Sequence, residues 1–414
     1  MEAEVHLLED EEEVDWSANS AQKTNNWNAW SKDLHGWLEA LHRPDMTLEI
    51  GKRVWTDYKK HVKTHPELAA FLPLLFQQVG PYLYFDHLES LYSDLVETEQ
   101  LTPAIGRDMV RQYMKRRDVK NAEVVADDLR NAGIDISGST VGSLIRLHGA
   151  AGNSNQVWKY FDEYVQTQNF QESQYPYLCG CLFVALGSLP GNQDERLLSI
   201  FHLMITGEEY FPNAPEYYDW LDNEFVDNPD AEMPDFPLQQ PIILPNPDAF
   251  CFNAALQSVK SAEAATTIWE LAIRLRRVSP FVYANYVISL ASSDTKLAAK
   301  AFEQFSKSTY ANKKWEVVHL VRRRLGAKAI EANDIDTLRV LLDEKFTTRH
   351  VSSEDVVSML SLQMKRGFSV NEIWDSLHEL CKKYEIPAFS STYRGVILEY
   401  LHREEPENAE HILA

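Results

Sequence analysis

Apolar residues recur along this chain at the three- and four-residue spacing of amphipathic helices, in segments that each begin at a polar or turn residue. The predicted helix openings are Thr47, Pro81, Asp118, Ser154, Gly191, Ser261, Ser293, Asn333, Ser369 and Glu405. Most lie about 36 residues apart, and the interval from Gly191 to Ser261 is about twice as long, which predicts one degenerate repeat inside it. Because one helical hairpin cannot bury its own apolar face, the repetition predicts an all-α solenoid of stacked antiparallel helix pairs.

Composition argues against an enzyme of the α/β or all-β class. The 414 residues include only 16 glycines and 18 prolines, and turn-bounded runs of Val, Ile and Thr are rare. The sequence contains no HExxH, no Gly-rich phosphate loop, no GxSxG and no paired-cysteine motif. We therefore predict a protein that binds rather than catalyses, with no metal and no cofactor.

Cysteine usage and hydropathy bear on the cellular setting. The four cysteines form no even disulfide framework, so we expect buried thiols in a reducing compartment. No apolar run reaches the roughly 18 residues that a membrane span needs, so no membrane association is predicted. The first 15 residues are acidic, unlike an Arg-rich organellar presequence. We expect either no targeting segment or a chain that begins after its removal.

Composition also divides the chain into five predicted segments. These are an acidic disordered tail (1–22), a Trp-rich helical cap with degenerate repeats (23–100), regular repeats (101–226), an acidic Pro-rich loop (227–246) and further repeats (247–414). The loop contains no basic residue and interrupts the helical periodicity. We expect it to be exposed and non-helical.

The net charge of −22 is distributed unevenly. Residues 190–249 hold one basic residue, Arg196, against 13 acidic residues, a net charge of −12. Residues 250–330 reverse the balance with 13 basic and 5 acidic residues, a net charge of +8. Such a zone can hold phosphate groups even in a protein whose total charge repels polyanions. The alternative is that solvated helix faces carry lysine and arginine here.

Three early tryptophans are predicted to dock a partner. Trp27, Trp30 and Trp37 lie in the stretch NWNAWSKDLHGW, where Trp30 and Trp37 fall on one apolar helical stripe. Tryptophan is frequent among the hot spots of protein interfaces, which favours docking. The simpler interpretation is a cap that seals the open end of the solenoid, and the two interpretations are compatible.

Several repeats resemble the pentatricopeptide repeat family. The stretch PDAFCFNAAL at 247–256 is similar to the end of that family's linker followed by the start of its first helix. TYRGVI at 392–397 resembles the same helix start, and ENAE at 407–410 resembles the start of the second helix. The resemblance covers roughly residues 100–414. The tetratricopeptide family has a similar period, but its Trp, Leu-Gly, Tyr and late Pro signature is not evident.

This resemblance implies a right-handed solenoid that works in mitochondria or plastids on single-stranded RNA. Family members read bases with a residue near the start of the first helix. The matching positions here are Asn253, Asn285 and Arg394, with Gly142 in a weaker repeat. An amide or guanidinium group can hydrogen-bond a base edge, whereas glycine cannot. The alternative for Asn253 and Asn285 is a polar residue at a helix start that faces water.

Six basic side chains are the predicted phosphate contacts. They are Arg322, Arg323, Arg324 and Lys328 in a predicted first helix, and Arg274 and Arg277 near the end of a second helix. Successive helical residues point about 100° apart, so at most two of the three consecutive arginines can share a face. A cation near a helix C-terminus also stabilises the helix dipole, which is the alternative role of Arg277.

Together these features predict a non-catalytic subunit of a mitochondrial ribonucleoprotein that binds single-stranded RNA and partner proteins. The alternative is a scaffold that binds only proteins. A continuous basic groove across residues 250–330 would favour RNA, and a basic zone broken by acidic faces would favour protein partners.

Overall fold

The computed structural model describes residues 48–63, 66–166, 175–222, 233–237, 239–310, 315–332, 334–343, 353–384, 386–387 and 391–413. The acidic tail and the three docking tryptophans predicted from the sequence lie outside these residues. Contacts divide the chain into two compact units, Met1–Ile105 and Gly106–Ala414, and each is described by itself.

The N-terminal unit is helical. It contains α1 (Leu48–His61), α2 (Leu72–Val79) and α3 (Phe85–Glu97), with short 3-10 helices at Pro66–Phe71 and Gly80–Tyr82. Helix α2 packs against both α1 and α3, and its apolar side chains are buried in these contacts. Helix α4 (Pro103–Arg116) runs across the boundary into the second unit.

The C-terminal unit is an array of helix pairs. Its further helices are α5 (Val119–Asn131), α6 (Gly138–Ala151), α7 (Ser154–Gln166), α8 (Tyr175–Ser188), α9 (Asp194–Thr206), α10 (Pro215–Trp220), α11 (Ala249–Ser258), α12 (Ala262–Arg274), α13 (Pro280–Ala291), α14 (Thr295–Ser306), α15 (Trp315–Glu331), α16 (Ile335–Asp343), α17 (Ser353–Lys365), α18 (Val370–Lys383), α19 (Ser391–His402) and α20 (Pro406–Leu413). The described strands are β1 (Glu209–Tyr210) and β2 (Ile242–Ile243), which pair antiparallel.

The helices of this unit form two layers. The first helices of successive pairs, α6, α8, α11, α13, α15, α17 and α19, each contact the next along the array. The second helices, α7, α9, α12, α14, α16, α18 and α20, each pack against their own first helix. The predicted all-α helical repeat is therefore confirmed, because each pair buries its apolar face against its neighbours.

The long interval between Gly191 and Ser261 does not contain a degenerate repeat. Helix α8 packs directly on α11, and a Cβ on Gly187 of α8 would lie only 2.7 Å from the Cα of Ser258 in α11. The additional residues form β1, the short helix α10 and β2, and α10 packs on α7. The degenerate-repeat prediction is wrong because these residues are an insertion between two consecutive pairs.

Helix caps explain why the sequence located most helix starts. Asp118, Ser261 and Ser369 each accept a hydrogen bond from a backbone N–H of the turn that follows, as predicted. The residue Glu372 completes a capping box at Ser369. Other predicted openings are displaced by one to three residues, since the residues directly before α3, α9, α14 and α16 are Tyr84, Gln193, Asp294 and Asp334.

Polar contacts join the turns of successive pairs. Asp194 accepts from the backbone N–H of Lys260 at 2.9 Å, and Ser293 Oγ donates to the carbonyl of Lys260 at 2.8 Å. Thr295 Oγ1 donates to Asp334 Oδ2 at 2.7 Å. These bonds fix the register of four consecutive pairs, from α8–α9 to α15–α16.

Two expectations about the interior and the surface can be compared with the structure. Cys179, Cys181, Cys251 and Cys381 are free and buried, so the prediction of buried thiols is confirmed. Among the described helices, none combines the length and apolarity needed to span a membrane.

Candidate nucleic-acid interface

Ring contacts between the layers show which side of each first helix faces the second helices. Phe252 of α11 and Phe183 of α8 both contact Phe201 of α9, with ring centroids 4.9 and 5.3 Å away. At about 100° per residue, Phe250 lies about 160° around α11 from Phe252, and Tyr177 lies about 120° around α8 from Phe183. Both therefore point away from the second helices. We call this side of the first helices the first-helix face.

Two aromatic rings stack across neighbouring first helices on this face. The centroids of Tyr177 and Phe250 are 5.6 Å apart, and their planes are inclined by 16°. Both side chains are only half-buried, so they present partly exposed ring surface. A stacked, partly exposed aromatic pair provides a flat surface on which a nucleobase can continue the stack.

An arginine of α6 lies beside the aromatic pair. His148 stacks on Tyr160 of α7, with centroids 5.3 Å apart, so Arg146 lies about 160° away from it on the first-helix face. Burial raises the pKa of Tyr177, and the positive charges of Arg146 and Arg111 partly oppose that rise. Among the described residues, Arg146 Nε has no hydrogen-bond partner.

The two predicted base-reading asparagines meet each other. Asn285 Nδ2 of α13 donates to Asn253 Oδ1 of α11 at 3.1 Å. Asn253 remains half-exposed, whereas Asn285 is 9% exposed and does not simply face water. Gly142, the base-reading position of the weaker repeat, has a packing role, because a Cβ there would lie 2.8 Å from Cys181 Sγ of α8.

The three consecutive arginines of α15 point in different directions. Arg322 is 1% exposed, so the prediction that it contacts phosphate is wrong. A Cβ on Gly326 would lie 3.7 Å from Leu338 of α16, which places Gly326 toward the second helices. Arg324 lies about 160° around the helix from Gly326, on the first-helix face, whereas Arg323 lies only about 60° from Gly326. Both Arg323 and Arg324 are exposed.

The other predicted basic contacts are spread over the array. Arg274 lines an open groove of about 610 Å³ between the second helices α9 and α12, and Arg277 follows the end of α12. Lys328 Nζ is ion-paired with Glu331 Oε2 at 2.8 Å. Arg394 is exposed on α19. The described cations of the basic zone are thus divided between the two layers and do not form the continuous basic groove that would have favoured RNA, so residues 250–330 alone do not support RNA binding.

Acidic side chains avoid four consecutive first helices. Helices α6, α8, α11 and α13 contain no Asp or Glu. Each second helix paired with them, α7, α9, α12 and α14, carries one or two. A protein with a net charge of −22 therefore keeps the central part of its first-helix face free of acidic helix residues. The lack of Asp and Glu in these four helices can be read from the sequence. It is the pattern that would have pointed to Arg146, Tyr177 and Phe250 as candidate site residues.

The structure shows no cluster that would suggest metal chemistry. No group of three or more His, Cys, Asp or Glu side chains suited to holding a metal ion occurs within the described part of the chain.

Comparisons with known proteins add similarity to solved structures. No family model and no curated protein matches the sequence. Among solved structures, the chain is similar to the crystal structure of the pentatricopeptide repeat protein PPR10 from maize, with 13% sequence identity and a TM-score of 0.34. The match covers 93% of this chain and 63% of the maize chain, so this chain spans less than two thirds of that protein.

Proposed function

We propose that this protein binds single-stranded RNA along the first-helix face, as a non-catalytic helical-repeat subunit of a mitochondrial ribonucleoprotein. The observation that carries the proposal is the run of four first helices without an acidic residue in an otherwise acidic chain. A polyanion is repelled least along this run. The mitochondrial setting rests on the sequence resemblance alone.

The face offers three kinds of contact to a single strand. Bases can stack on Tyr177 and Phe250, and such stacking contributes about 1–3 kcal/mol per base. The exposed part of the Asn253 amide can hydrogen-bond a base edge, with Asn285 holding its orientation. Arg146 and Arg324 supply cations for the backbone. With so few cations on the face, stacking supplies much of the affinity, and the salt dependence is shallow.

Replacing the two arginines of the first-helix face tests this proposal. We expect Arg146→Gln and Arg324→Gln each to weaken binding of a labelled mixed-sequence single-stranded RNA several-fold in fluorescence anisotropy. Each lost phosphate contact should also reduce the slope of log K against log salt by about 0.7. Glutamine keeps much of the side-chain length while removing the charge.

The matched controls are Arg274→Gln and Arg277→Gln, which remove the same charge from the second-helix side. They should leave both the affinity and the salt slope nearly unchanged. Equal weakening by the control pair would contradict a defined RNA-binding face. Absence of RNA binding by the wild-type chain at low salt would contradict the proposed function altogether.

A further inference from the structure

The inserted strands form a small ribbon with two different sides. Glu209 pairs with Ile243, and Tyr210 pairs with Ile242, in antiparallel register. Side chains alternate along a strand, so Phe211 lies on the same side as Glu209 and Ile243. Phe211 is 64% exposed and Ile243 is 65% exposed, whereas Tyr210 on the other side is 9% exposed. We call the exposed side the ribbon face.

The buried side of the ribbon is fixed to α7 through one carboxylate. Asp162 is completely buried and accepts hydrogen bonds from the Tyr210 hydroxyl, from the Tyr218 hydroxyl at 2.5 Å and from the backbone N–H of Asn213 at 2.8 Å. The Tyr210 ring also contacts Phe161 edge to face at 5.8 Å. The backbone beneath the ribbon face is thus held on a packed support.

The sequence that contains the ribbon is strongly acidic. Glu209 is exposed on the ribbon face, whereas Glu208 points to the other side by the same alternation and lies 3.8 Å from His202 Nε2. From residue 197 to residue 259 the sequence contains no Lys or Arg. Aromatic residues are enriched at protein interfaces, which favours an interaction site around Phe211. The charge favours a cationic occupant and disfavours RNA.

We infer that the ribbon face is a docking site for a cationic segment of a partner protein, whose apolar side chain packs between Phe211 and Ile243 while a Lys or Arg residue pairs with Glu209. This site is separate from the RNA face and does not depend on the proposed function. The insertion adds the described strands between two consecutive helix pairs, whereas the next two pairs are joined by the short turn 275–279 between α12 and α13. The protein then has a run of four acid-free first helices for RNA and a separate apolar face with an exposed carboxylate for a basic protein.

Peptide probes of defined chemistry test the inference on the full chain. The positive probe is a short fluorescein-labelled peptide of alternating lysine and leucine. A lysine–serine peptide supplies charge alone, and a glutamate–leucine peptide supplies apolar side chains alone. We expect saturable binding of the lysine–leucine peptide only. The double variant Phe211→Ser/Ile243→Ser should weaken it about tenfold or more, since anchor residues dominate interface energies. Glu209→Gln should weaken it and flatten its salt dependence.

Two matched double variants distinguish binding at this site from non-specific binding elsewhere on the protein. Leu398→Ser/Leu401→Ser removes exposed apolar residues from α19, and Glu263→Gln/Glu270→Gln removes exposed acids from α12. Both should leave peptide binding unchanged. The inference is overturned if either control variant weakens peptide binding as much as the ribbon variant does. It is also overturned if the wild-type chain shows no saturable binding, or if the ribbon variant binds with wild-type affinity. Because Phe211 and Ile243 are exposed, the ribbon variant should keep the wild-type circular dichroism and RNA affinity, so this test fails or succeeds separately from the RNA proposal.

Discussion

Gly149→Val is expected to destabilise the C-terminal unit by about 2–4 kcal/mol. A Cβ on Gly149 of α6 would lie 2.5 Å from the Cα and 2.8 Å from the carbonyl oxygen of Ala185 in α8. These are backbone atoms, which cannot rotate away as a side chain can. Intrinsic helix propensity favours valine over glycine by less than about 1 kcal/mol, so the clash outweighs that gain. Urea denaturation followed by circular dichroism measures the loss.

The neighbouring exposed residue supplies the control. Ala150→Val adds a comparable bulk one residue along the same helix, where it faces solvent. Its cost should be only the difference in helix propensity, about 0.5 kcal/mol. If the two variants lost similar stability, the close approach of α6 and α8 would not be what stabilises this part of the array.

Asp162→Ala is expected to cost about 3 kcal/mol or more. Removal of the carboxylate leaves the hydroxyls of Tyr210 and Tyr218 and the N–H of Asn213 without their acceptor in a buried site. Burial raises the pKa of Asp162, and these hydrogen bonds partly oppose the rise. Urea denaturation gives the cost, and faster hydrogen exchange in β1 and α10 should show that the insertion has loosened.

Asp219→Ala is the control for this variant. Asp219 forms an ion pair with Lys159 of α7 at 2.5 Å, but its side chain is 53% exposed. An exposed pair of this kind contributes at most about 1 kcal/mol. A loss for Asp162→Ala no larger than that of Asp219→Ala would contradict the role of the buried carboxylate in fixing the ribbon.

Local signals made much of the fold predictable. The cap residues Asp118, Ser261 and Ser369 act through neighbours three residues away, so their pattern is complete within the sequence. The insertion after α9 was misread because it lengthens the interval between the openings Gly191 and Ser261 to about two periods. The contact that reveals the insertion, between Gly187 of α8 and Ser258 of α11, joins residues about 70 positions apart. In the sequence it is marked only by these two small residues.

The candidate site was less predictable than the fold. A charge total over residues 250–330 does not say which layer each cation occupies. In the structure Arg324 and Arg274 lie on opposite layers. Burial of Arg322 depends on neighbouring helices that the sequence of α15 does not describe. The donors to Asp162 come from residues 48 to 56 positions away, which no local pattern indicates.

Photo-crosslinking tests the central claim most directly. A single-stranded RNA that contains 4-thiouridine should be crosslinked to the full chain, and the modified peptides identified by mass spectrometry. The proposed function predicts crosslinks at Tyr177 and Phe250, on α8 and α11, and their loss when excess unlabelled RNA competes. Crosslinks confined to the second helices α7, α9, α12 and α14, or labelling that unlabelled RNA does not compete away, would contradict RNA binding on the first-helix face.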